Sequence, residues 1–178
     1  MNRTKLASLA ALTAAVTALV LATLVPSAEA GSLKAQVFLV QVPIPNKLTE
    51  KALLSFGRAH ANKILRETNE ADLKARKWKA EMIVSFNAPV NDMEFQVLFY
   101  DVHDGPRRFV DDMATMVDDR SQKTFIQKVT LSRTMFKPNR NMELVVTVKR
   151  AEVGRIKFGV VGEEIKRSGE VSFSDKER

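Results

Sequence analysis

From Trp78 onward the apolar positions recur every second residue. Trp78, Ala80, Met82, Val84 and Phe86 alternate with Lys79, Glu81, Ile83 and Ser85, and the period returns in Met93, Phe95, Val97 and Phe99. It appears again in Phe125, Gln127, Val129 and Leu131, in Met142, Leu144, Val146 and Val148, and in Ile156, Phe158 and Val160. Successive side chains of an extended chain leave on opposite faces, so each run predicts a strand with one face against a core. Leu98 and Tyr100 make the second face of the Met93 strand partly apolar, which predicts that something covers it. Asn87 to Asp92, Asp104-Gly105-Pro106 and the KPNRN stretch from Lys137 to Asn141 carry turn residues, and a hairpin is expected over Ala151 to Gly154. Short strands are expected over 107–110 and 169–173, and the polar stretch from Asp111 to Ser121 reads as a connector.

Before Trp78 the pattern is mixed. Lys34 to Val42 (KAQVFLVQV) reads as a buried strand, closed by Pro43 and Pro45, which remove two backbone donors. Leu53, Phe56, His60 and Ile64 then follow at helical spacing, predicting a helix over 48–66 capped by Asn46 or Thr49. Gly57 weakens it, and Asn62 to Thr68 reads alternatively as a strand. Seven or eight strands joined by short turns, without helices after Trp78, predict a mainly β fold: an antiparallel β-sandwich, immunoglobulin-like or C2-like, with one N-terminal helix. A single domain over residues 31–178 is expected, ending in a short charged tail.

The first thirty residues do not belong to that pattern. Arg3 and Lys5 precede an uncharged run from Leu6 to Val25, Pro26 breaks it, and Ala28-Glu29-Ala30 offers small side chains to a signal peptidase. This predicts a secretory signal peptide over residues 1–30, cleaved after Ala30, and an exported product, periplasmic or extracellular. The run is long enough to cross a bilayer core of about 30 Å, but its Ala and Thr content and the adjoining Ala-x-Ala favour cleavage over anchoring. No later stretch approaches spanning length, so no transmembrane segment is expected after cleavage.

Composition narrows the function. The chain has no cysteine, which excludes a disulfide scaffold, a thiol enzyme, a zinc-thiolate protein and lipid attachment at the cleavage site. Of 28 basic and 21 acidic residues the leader takes Arg3, Lys5 and Glu29, so the mature chain keeps a net charge of +6. Lys74, Arg76, Lys77 and Lys79 form one basic cluster and Lys149, Arg150, Arg155 and Lys157 another. Acids are interleaved and aromatics do not accompany them, so a solvated surface is expected more than a dedicated anion site, and no nucleic acid partner.

Six aspartates stand between Asp101 and Asp119. Asp101, Asp104, Asp111 and Asp112 are candidate calcium ligands, since loops at one end of a sandwich can gather hard carboxylate oxygens. The spacing does not match a calcium helix-loop motif: His103 takes the third position and Gly105 arrives one residue early. The alternative is that Asp101 and Asp104 form turns while the others pair with Arg107, Arg108 and Arg120. Only His60 and His103 offer a proton shuttle near neutral pH, with His60 expected on the apolar helix face. No phosphate-loop, nucleophile-elbow or metal-helix pattern is present. Met113, Met116 and Met135 offer an adaptable contact surface or fill gaps. The expected function is a non-catalytic exported interaction or accessory module with a protein partner in the cell envelope. The alternatives are a calcium-dependent or anionic-ligand-binding module and a hydrolase of an envelope polymer.

Overall fold

The period-two runs pair into two sheets. β1 (Ala35–Val40), β3 (Lys77–Phe86) and β6 (Thr124–Ser132) form a three-stranded antiparallel sheet with β3 in the middle. β2 (Ile64–Arg66), β8 (Ala151–Val161), β7 (Arg140–Val148), β4 (Glu94–Asp101) and β5 (Arg108–Met116) form the second sheet in that order. The computed structural model describes residues 32–164. The expected leader over 1–30, the strand expected over 169–173 and the charged tail lie outside them. Among the described residues no helix is long and apolar enough to cross a membrane.

The chain is a β-sandwich with one short helix, as its alternation predicts. Trp78, Met82 and Val84 from one sheet meet Val97, Leu144, Val146 and Val160 from the other, each essentially inaccessible to solvent. Phe86 and Phe125 close edge-to-face on Phe95 across the gap, with ring centroids 5.3 and 5.2 Å away, a geometry favoured by the ring quadrupoles. At the other end Phe136, from the connection between β6 and β7, plugs the core against Phe99.

Helix α1 (Glu50–His60) lies on the outer face of the three-stranded sheet. Thr49 caps it, its hydroxyl accepting from the Ala52 amide at 3.3 Å. Leu53 and Gly57 are its buried positions, packed toward Val40, Ile83 and Phe38. A Cβ on Gly57 would stand 3.0 Å from the Phe38 ring. The glycine that weakens the helical pattern is therefore what lets the helix approach the sheet.

Three expectations need correction. The helix ends at His60 rather than near Arg66, and Ile64–Arg66 is a strand paired parallel with β8. Tertiary bonds override the local period there: the Asn62 amide donates to Leu39 O, and the Gln41 side chain bonds the Arg66 amide and carbonyl and Lys79 O. His60 accordingly sits exposed, its ring against Phe56. Asp111 to Met116 is not a connector but most of β5, an edge strand. Asp111 pairs with core residue Phe99 and so stands on the inner side of that edge. An inward charge on an unpaired edge discourages a second chain from adding there.

The third concerns the hairpin between β7 and β8. It turns at Lys149 and Arg150, both at positive φ, the conformation a two-residue turn requires. Gly154 serves another purpose. A Cβ there would stand 2.5 Å from the Ala35 carbonyl oxygen, so the missing side chain lets β8 pass close to β1. Gly154→Ala is expected to cost about 1–3 kcal/mol, the usual penalty of overpacking. A urea midpoint equal to wild type would show that the two strands part freely.

Candidate functional site

The loops at the end where β3 begins and β8 finishes carry most of the organised charge. Glu67, just after β2, accepts from Arg133, which follows β6, through Nε at 3.0 Å and through Nη2. The same carboxylate accepts from Arg76 Nη1 at 3.2 Å and from the Glu163 amide at 2.9 Å. Arg76 also reaches the Glu163 carboxylate at 3.1 Å. Burial pushes the Glu67 carboxyl up, but the Glu163 amide and the two guanidinium groups outweigh it and hold the group below the usual carboxylate range. Arg133 lies over the ring of fully buried Trp78 at 5.8 Å, and Trp78 Nε1 donates to Val161 O at 2.9 Å. One indole and one carboxylate thus tie the two sheets together at this end.

Beside this cluster opens a cleft of about 560 Å³ whose lining includes Lys74, His103, Arg133, Lys137, Arg140 and Glu164. Asn139, at positive φ, donates through its side chain to Glu164 at 3.0 Å and accepts the Gly162 amide. Arg140 pairs with Asp104 and holds that carboxyl below its usual range. Lys74 and Lys137 have no ion-pair partner among the described residues.

The aspartates do not converge there. Asp101 closes β4, accepting from Arg108 Nη2 at 2.9 Å and the His103 amide at 2.9 Å, while Asp104 faces Arg140. Asp111 and Asp112 are consecutive strand residues, so they leave the sheet on opposite faces. Asp118 and Asp119 lie beyond the far end of β5, where Asp119 accepts the Ser121 amide and hydroxyl. Among the described residues no group of three or more His, Asp or Glu side chains is placed to hold a metal. The expected calcium ligands Asp101, Asp104, Asp111 and Asp112 are therefore not assembled, because two are spent on arginines and the strand pleat separates the others. His103 does line a concave site, but no hydrogen bond joins its ring to a hydroxyl or carboxylate among the described residues. The nearby Thr134 hydroxyl is bonded to Ser132 instead.

A second organised surface is the outer face of the five-stranded sheet. The register sets Lys157, Glu143, Tyr100 and Phe109 in one row and Arg155, Val145, Leu98 and Asp112 in the next. Glu143 is 2% exposed although it faces outward. Arg107, from the hairpin between β4 and β5, bonds Glu143 and lies over the Tyr100 ring at 5.6 Å. Arg155 approaches Glu143 at 4.0 Å and pairs with Glu152. The cover expected over this face is thus supplied in part by the chain itself, since the Arg107 guanidinium lies on the Tyr100 ring and is held there by Glu143. Phe109 remains 54% exposed at the edge of this patch, its ring edge-on to Tyr100 at 6.0 Å.

Sequence reasoning missed Glu67, Arg133, Arg140 and Glu143. Each has a partner distant along the chain, as Glu67 has in Arg133 and Arg140 in Asp104, so nothing in its own segment marks it. The one available signal was Glu143 inside the most regular apolar run, on the face opposite Met142 and Leu144.

No protein-family model matches the chain, and no curated protein does. Among solved structures, an immunoglobulin-like protein from Pseudomonas aeruginosa is similar, with a TM-score of 0.39 and 12% sequence identity. The likeness covers 72% of this chain and 95% of that one.

Proposed function

We propose that the chain is an exported, non-catalytic interaction module that works through protein contacts in the cell envelope. The observation that supports this reading is the outer face of the five-stranded sheet, where Phe109, Tyr100, Arg107 and Arg155 stand together around Glu143. Tyrosine and arginine are enriched among the residues that dominate binding energy at protein interfaces, and aromatic residues in general are enriched there. The arginines are already held by Glu143 and Glu152, so little ordering remains to be done on contact. The Ala-x-Ala leader supports export.

Phe109→Asp is the decisive variant, because it charges the exposed apolar edge without touching the core. A protein retained by the wild-type chain from envelope extract should be lost with Phe109→Asp and kept with Lys51→Ala, an exposed change on α1. A strictly monomeric wild-type chain that retains no protein, or one retained equally by both variants, overturns the reading.

A further inference from the structure

The end cleft differs from the rest of the basic surface, and it is separate from the sheet face discussed above. Elsewhere acids interleave with bases, whereas here Lys74, Arg133, Lys137 and Arg140 line one concavity with Glu164 as the only acid in the lining among the described residues. The partners of these groups differ in an informative way. Arg133 is committed to Glu67 and the Glu163 carbonyl and forms a fixed wall. Glu164 is bonded by Asn139. Arg140 is held by Asp104, whose side chain is 70% exposed, so an incoming anion can take its place at little cost. Lys74 and Lys137 have no ion-pair partner among the described residues.

We propose that this cleft binds a phosphomonoester, held by Lys74, Lys137 and Arg140. Converging cations in a walled recess focus positive potential and favour a counterion. A phosphomonoester carries about −1.5 to −2 charge at neutral pH and three acceptor oxygens, which matches three cations better than a single carboxylate does. Arginine supplies the planar fork and the lysines mobile point charges. The volume of about 560 Å³ exceeds what one oxyanion fills and lies in the range of small-molecule sites. The phosphate is therefore expected on an organic body, lying along Pro138 and the lysine stems. That body is either a soluble sugar phosphate or a lipid headgroup.

The test is titration of the full chain, at low salt, with glucose 6-phosphate and with phosphatidylcholine vesicles with and without phosphatidic acid. Lys74→Ala and Lys137→Ala remove side chains with no hydrogen bond or ion pair among the described residues, and Lys51→Ala controls for net charge. Saturable binding is expected, weakened about tenfold by each cleft variant, as loss of a charge-assisted bond gives, and unchanged in Lys51→Ala. Binding of the sugar phosphate assigns a soluble ligand. Binding confined to phosphatidic acid vesicles, with the same loss in the cleft variants, assigns a lipid headgroup. No binding to either probe, or equal weakening by Lys51→Ala, overturns the proposal.

Discussion

Glu67→Ala is expected to lower the unfolding free energy by about 3–5 kcal/mol, the usual cost of removing one member of a buried ion pair. The magnitude follows from what stays behind. Arg133 has a side chain only 7% exposed and would keep its charge with only the Glu163 carbonyl and the Trp78 ring face to meet it among the described residues. The Glu163 amide would lose its acceptor as well. Small domains hold about 5–15 kcal/mol in all, so the variant should show a much lower urea midpoint. The dependence on pH has a definite sign. The folded carboxyl is held below its ordinary value, so its stabilisation is complete above that ordinary value and is lost as pH falls through the lowered one. Wild type and Glu67→Gln should therefore differ most near neutrality and converge in acid. A gap that widens in acid would refute the assignment.

Trp78→Ala should be comparably damaging, at about 3–5 kcal/mol for a large aromatic deleted from a core. Trp78 is 0% exposed, belongs to the three-stranded sheet, and bonds a carbonyl at the end of β8 in the other. Trp78→Phe keeps much of the volume but loses that bond, a cost of about 0.5–1.5 kcal/mol. The two sites share Arg133, which touches both the carboxylate and the indole face. Their effects should be less than additive, since a double variant breaks the shared contact only once. Strict additivity in denaturant unfolding would mean that the ring and the carboxylate act independently.

What could be read in the sequence was whatever depends on neighbours along the chain. Trp78 to Phe86 and Met142 to Val148 declared their faces because alternation is local, and the burial of Met82, Val84, Leu144 and Val146 follows it. β2 was legible only as the alternative to a longer helix, because Ile64 also fits the helical step from His60. What decides between them is distant: the Gln41 side chain, 25 residues earlier, and β8 hold Arg66 extended. The turn at Lys149-Arg150 was misplaced because neither residue type favours the positive φ it adopts, while the glycine that drew the turn, Gly154, serves the approach to Ala35 instead. Of the site, Lys74 was visible as part of a basic cluster and His103 as a lone titratable group. Lys137 and Arg140 looked like turn residues. The aspartates drew notice by their number, yet carboxylates are abundant in turns for reasons unrelated to metals.

The parallel pairing of β2 with β8 joins Leu65 to Val160, and the contacts beside it span 83 residues from Trp78 to Val161 and 96 from Glu67 to Glu163. Such distant closures must meet their loop entropy before they return any energy, which slows folding. A nascent chain emerging N-terminus first therefore cannot lock β2 and the start of β3 until β8 is free. Until then Leu65 and Trp78 lack Val160 and Val161, the β8 residues that meet them in the folded chain, and their apolar surface stays open to non-native contacts.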